Sequence, residues 1–106
     1  MHAGYSSVPE PLWEPLARIV LEAAYEGTLS AALASMHRHG GEGGSDRVYL
    51  TLVGGGVFRN PMHWICDAMH SALLKFRGTG LKVFAVVFHA PGPQRLTNMF
   101  DRLHNM

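Results

Sequence analysis

Val48-Tyr49-Leu50-Thr51-Leu52-Val53-Gly54-Gly55-Gly56-Val57-Phe58-Arg59-Asn60-Pro61 is the stretch on which the reading of this chain turns. From Val48 to Val53 it is rich in β-branched and aromatic side chains, which predicts a buried strand. Three glycines follow at Gly54, Gly55 and Gly56. Asn60-Pro61 then stands before a long apolar-periodic segment. Asparagine suits an N-cap, and proline suits the first helical position, where its missing N–H costs nothing. Strand, glycine loop and helix N-terminus in that order let backbone N–H groups converge on an anion. The plainer alternative is a tight strand-to-helix turn with no ligand.

Downstream, the segment after Pro61 places Ile65, Ala68, Met69, Ala72, Leu73 and Phe76 on one helical face. Asp67, His70, Ser71 and Lys75 fall on the other. Gly78-Thr79-Gly80 stops that helix. Leu81 to Phe88 is apolar almost throughout and predicts a second strand. Residues 47–88 therefore read as a βαβ unit with a right-handed crossover. Nearly continuous apolar runs imply parallel strands covered on both faces. Beyond the turn at Ala90-Pro91-Gly92-Pro93, residues Leu96, Met99, Phe100 and Leu103 form the stripe of a terminal helix over 94–104.

Upstream, residues 1–11 read as a loose tail and 12–39 as helical. The helix near 13–36 carries Leu16, Ile19, Val20, Ala23, Gly27 and Ala31 at helical spacing, expected to face inward. Glu14, Arg18, Glu22 and Glu26 lie four apart on the other side, and Glu22 and Glu26 repel slightly. Gly27-Thr28 marks a bend, or the point where a first helix yields to a second short one. His37-Arg38-His39-Gly40-Gly41 ends the helix with positive side chains followed by glycine. Residues 40–46 read as a flexible connection.

The whole chain of 106 residues reads as a single α/β domain, a small parallel-sheet βαβ core with flanking helices. Nine Lys and Arg stand against eight Asp and Glu, scattered rather than clustered, so nothing points to nucleic acid. No apolar run approaches the roughly 18 residues of a membrane span, and the N-terminus lacks signal-peptide patterning. With the single cysteine Cys66, no internal disulfide forms, and a cytoplasmic location is the default. Two parallel strands alone leave unpaired outer edges. That implies a second copy of the chain or further strands supplied from elsewhere.

The opening stretch and its neighbours resemble the second half of a macro domain, the module that binds ADP-ribose and in some members hydrolyses its conjugates. The resemblance runs through Ala23-Ala24-Tyr25-Glu26-Gly27-Thr28-Leu29, the strand from Val48, the loop to Pro61, the next helix and the strand from Val83 to Phe88, roughly residues 15–90 in all. It implies a three-layer αβα architecture in which Gly54, Gly55, Gly56, Val57 and Phe58 supply the diphosphate loop. Phe58 would pack near the distal ribose, and Asn60 would cap the helix. The family loop has a further glycine after the aromatic, where this chain has Arg59, an arginine able to close over a phosphate. A macro domain also takes an adenine-binding acid and an asparagine-bearing loop from its first half, and nothing before residue 12 forms those strands. The resemblance thus implies a C-terminal half that binds ADP-ribose or a related nucleotide diphosphate without catalysis of its own. Two alternatives remain open. One is a ligand-free structural or homodimerisation module, and the other is a fragment of an ADP-ribosyl hydrolase whose catalytic half is missing.

No other pattern assigns chemistry. The glycine stretch lacks the Lys-Ser or Lys-Thr of a P-loop and the spacing of a dinucleotide fingerprint. His63, Asp67 and His70 share a helical face, but no further metal ligand is identifiable, so they read as a hydrogen-bonded surface. Cys66 reads as a buried structural thiol. Trp13 and Trp64 read as packing anchors. No catalytic residue, cofactor or metal is assigned.

Overall fold

Parallel pairing of the two apolar strands organises the chain, which a computed structural model describes over residues 10–52, 60–86 and 94–104. A single 3₁₀ turn at Glu10–Leu12 leads into helix α1 (Trp13–Arg38), strand β1 (Arg47–Leu50), helix α2 (Met62–Lys75), strand β2 (Lys82–Ala85) and helix α3 (Gln94–His104). β1 and β2 pair in parallel, with Arg47 beside Lys82 and Leu50 beside Ala85. The Lys82 N–H donates to the Asp46 carbonyl and the Val86 N–H to the Leu50 carbonyl, each at 2.7 Å, extending the ladder at both ends. The result is a small α/β fold, a two-stranded parallel sheet with flanking helices.

The strands are shorter than the apolar runs, four residues each. Val53 and residues 87–88 of the expected strands lie outside the described residues. The expectation of cover on both faces is also corrected. Val48 and Leu50 are buried while Arg47 and Tyr49 are exposed, and Lys82 and Phe84 are exposed beside half-buried Val83 and Ala85. Only one face meets the core. On the open face Tyr49 and Phe84 stack with ring centroids 5.3 Å apart. Aromatic residues at alternate positions make a run look continuously apolar even where they lie against each other in solvent.

α1 is one uninterrupted helix, without a break at Gly27-Thr28. The Thr28 hydroxyl donates to the Ala24 carbonyl at 2.8 Å, the back-bond that satisfies a helical threonine. Its inward face is the opposite of the one expected. Leu16, Ile19, Val20, Ala23, Gly27 and Ala31 are all exposed, and Ala17, Leu21, Tyr25 and Leu29 are buried instead. Both faces carry apolar residues at helical spacing, and the one with Tyr25 between Leu21 and Leu29 goes to the core. The helix ends as expected. Gly40 and Gly41 adopt positive φ, and the Gly41 N–H donates to the Met36 carbonyl at 2.9 Å, a Schellman closure. Residues 40–46 are successive turns rather than a loose connection. Each is closed by a backbone bond: Glu42 to His39, Ser45 to Glu42 and Arg47 to Gly44.

α2 and α3 bury the expected stripes. Ile65, Cys66, Ala68, Met69, Ala72 and Leu73 are buried on α2, and Leu96 and Met99 on α3, with Phe100 and Leu103 packed against the same core. The side of α2 expected to face solvent meets the acidic side of α1 along a seam. The Arg18 guanidinium bridges Glu14 and Asp67, at 2.8 and 2.9 Å. Lys75 reaches both Glu22 and Glu26, relieving their mutual repulsion with one shared cation. Lys75 and the Ser71 hydroxyl together hold the Glu22 carboxyl below its ordinary range. Among the described residues no helix is long and apolar enough to cross a membrane.

The reversed orientation of α1 is directly testable by chemical denaturation in dilute solution. Leu21→Ala should cost about 2–5 kcal/mol, the range for truncating a buried leucine. Ile19→Ala should stay within about 0.5 kcal/mol of wild type, as surface changes do.

Candidate functional site

The junction between β1 and α2 is where a parallel strand delivers the chain to a helix N-terminus, at the carboxyl end of the sheet. Open α/β sheets bind ligands at such ends. Of the expected ligand residues, Gly54, Gly55, Gly56, Val57, Phe58 and Arg59 lie outside the described residues, and Asn60 lies within them.

Asn60 does not cap the helix. Pro61 is the N-cap, with φ −56° and ψ 143°, and no side chain bonds to the first turn. The assignment moves by one residue because Pro61 takes the extended ψ of a residue still outside the helix, and Met62 becomes its first member. The Trp64 and Ile65 amides both donate to the Pro61 carbonyl, at 3.0 and 3.3 Å. Pro61 itself has no N–H, so the amides of Met62 and His63 are the orphan donors at this helix start. No acceptor among the described residues meets them.

Asn60 is only 7 % exposed, the sole buried polar residue of the described core. Its Oδ1 has no hydrogen-bond partner among the described residues. A buried, unsatisfied amide oxygen costs roughly 1–3 kcal/mol, which makes it the atom here most in need of a donor. The other fixed point is Tyr25. Its side chain is buried on α1, and its hydroxyl donates to the Thr51 carbonyl at 2.6 Å, just past the end of β1. That tie is not legible from spacing alone, although an aromatic hydroxyl on an alanine-rich helix is the type of group that finds a buried partner.

The other chemistry-bearing side chains are accounted for structurally. Asp67 accepts from Arg18. His63 lies edge-on to Trp64, and Arg18 sits over the Trp64 ring at 5.7 Å. Among the described residues no three His, Cys, Asp or Glu side chains gather closely enough to hold a metal. Cys66, on the second turn of α2, is buried. Burial pushes its thiol up, opposed by the positive charges of Arg95 and Arg102 and reinforced by Asp67. The result is a protonated core thiol rather than a nucleophile.

Two clefts among the described residues are not lined by residues of this junction. One of about 360 Å³ sits below the C-terminal end of α2, between Phe76, Leu81 and Phe100. Another of about 390 Å³ runs between β2 and α3, beside Phe84 and Leu96. Neither is lined by the first turn of α2. No family model, characterised protein or solved structure matches the chain.

Because the folded-state thiol of Cys66 is raised above its ordinary value of 9.0, the unfolded chain loses that proton first as pH climbs. The contribution is therefore intact below pH 9 and declines above it. Thermal unfolding should show stability falling beyond that pH, with the fall reduced in Cys66→Ala. At pH 7–8 a thiol reagent should label the protein only in denaturant.

Proposed function

We propose that the β1–α2 junction binds the diphosphate of ADP-ribose or a related nucleotide, and that the chain does so as a macro-like module without catalysis of its own. The observation that carries this reading is the helix start itself. The Met62 and His63 amides have no acceptor among the described residues, and the buried Oδ1 of Asn60, two residues before Met62 in sequence, has no partner there. A nucleotide diphosphate has both complements, since phosphate oxygens accept from helix N-terminal amides and ribose hydroxyls donate to a carbonyl oxygen. Gly54, Gly55 and Gly56 precede these atoms in sequence, and glycines there leave the backbone open to close approach by a phosphate. Under this reading Val57 continues the diphosphate loop, Phe58 borders the distal ribose and Arg59 closes over the phosphates. A cytoplasmic location, where such nucleotides are made and used, is part of the proposal.

Isothermal calorimetry with ADP-ribose, competed by ADP, tests it. Met62→Pro removes one donor at a position where proline is tolerated, behind a Pro61 whose extended backbone already suits a following proline. It should weaken binding about tenfold, as expected for losing one hydrogen bond to a charged group. Gly55→Val, which sets a branched side chain among the loop amides, should weaken it further while far-UV circular dichroism stays unchanged. Absence of heat at about 1 mM ADP-ribose, the limit of even weak association, would sink the proposal.

A further inference from the structure

The face of α1 turned away from the core is an uncharged strip that runs nearly the whole helix. Leu12, Leu16, Ile19 and Val20 are exposed by 56, 37, 67 and 49 %, and Ala23, Gly27, Ala31 and Ala34 continue the same side, also exposed. At 100° per residue these positions fill a sector roughly 120° wide. Every charged residue between Leu12 and Ala34 lies outside it, because Glu14, Arg18, Glu22 and Glu26 all turn toward the α2 seam. A strip of this kind on a surface helix marks a docking site.

The order of side-chain sizes along the strip identifies what docks. The N-terminal half carries the large residues, Leu12, Leu16, Ile19 and Val20. The C-terminal half carries the small ones, Gly27, Ala31 and Ala34. A two-fold axis beside Ala23 reverses one helix onto the other. At that register Val20 meets Gly27 of a second copy and Leu16 meets Ala31. Val20 and Leu16 then each enter a space left by a small residue, twice over. This is the self-complementarity that an isologous interface requires. A Cβ added at Gly27 meets nothing within 4 Å inside the protomer. Antiparallel helix dipoles favour the same arrangement.

We infer that the chain forms a two-fold symmetric dimer through antiparallel packing of α1 against α1 of a second copy. The strip is about 33 Å long at 1.5 Å per residue, and on a helix about 10–12 Å across it offers on the order of 500 Å² per copy. The dimer therefore buries ~1,000 Å² in total, at the lower end of specific interfaces. The inference does not rest on the nucleotide reading, because this face is the one opposite the core and lies apart from the β1–α2 junction.

Sedimentation velocity over about 1–300 µM, a range chosen to bracket micromolar association, should show the mass rising from 11.6 kDa toward twice that value. Gly27→Leu should weaken association on the order of a hundredfold, because it overfills both symmetry-related contacts. The variant should fold at least as well as wild type, since leucine is the better helix former at an exposed helical site. The double variant Val20→Ala/Gly27→Leu exchanges the two volumes and should recover most of the association. Mixing Leu16→Cys with Ala31→Cys should yield an oxidised heterodimer, whereas Leu16→Cys alone should not cross-link. A monomer across the whole range would overturn the inference. So would a dimer indifferent to Gly27→Leu, self-cross-linking of Leu16→Cys, or protection of this face only when a different protein is added.

Discussion

The hydroxyl of Tyr25, donated to the Thr51 carbonyl, fastens the long first helix to the carboxyl end of the first strand. Around it Leu21 and Leu29 enter the same core as Val48, Leu50 and the inner face of α2. A tyrosine in that position contributes its ring to the core and its polar tip to a backbone carbonyl just past the strand end. Helix, sheet and junction are fixed relative to one another at this point. With four-residue strands, the ladder itself supplies few bonds, so the tie between layers matters more than it would in a larger sheet.

A core built on one side of the sheet has consequences for the rest of the surface. Among the described residues the helices α1, α2 and α3 bury their apolar stripes against one face of the sheet. Two apolar surfaces are left over. One is the open face of the sheet, where Tyr49 and Phe84 shield each other by stacking. The other is the outer strip of α1, where no such mutual shielding exists among the described residues. The charged residues that would ordinarily make such a helix face soluble are instead committed to the α1–α2 seam, where Arg18 and Lys75 each bridge acids. The same seam orients α2, and so orients the start of α2 toward the end of β1.

Much of this architecture is legible in the residue order. The stripes of α2 and α3 are readable because each has one apolar side and one polar side, and Gly40-Gly41 and Gly78-Thr79-Gly80 mark helix ends through the positive φ that those turns require. Gly78 has φ 77°, and the Thr79 hydroxyl donates to the Phe76 carbonyl at 2.7 Å, closing that turn. Cys66 is readable as buried from its place beside Ile65. At the junction the expected cap and the observed one differ by a single residue. Asn60 and Pro61 are both good residues for a helix start, and local preference does not say which one turns the chain; the extended ψ of Pro61 does.

The reversed face of α1 separates the two kinds of information. Sequence alone determined that residues 12–39 are helical, that strands flank α2, and that apolar residues recur at helical spacing. It offered two apolar faces on one helix, Leu16-Ile19-Val20-Ala23 and Ala17-Leu21-Tyr25-Leu29, with nothing local to rank them. Periodicity reports the spacing of a face and not its direction. Tertiary packing chose the face that brings the Tyr25 hydroxyl to Thr51 and sets Glu22 and Glu26 against Lys75, because those partners exist only once β1 and α2 are in place. The same choice left the sheet covered on one side and turned the other face of α1 outward.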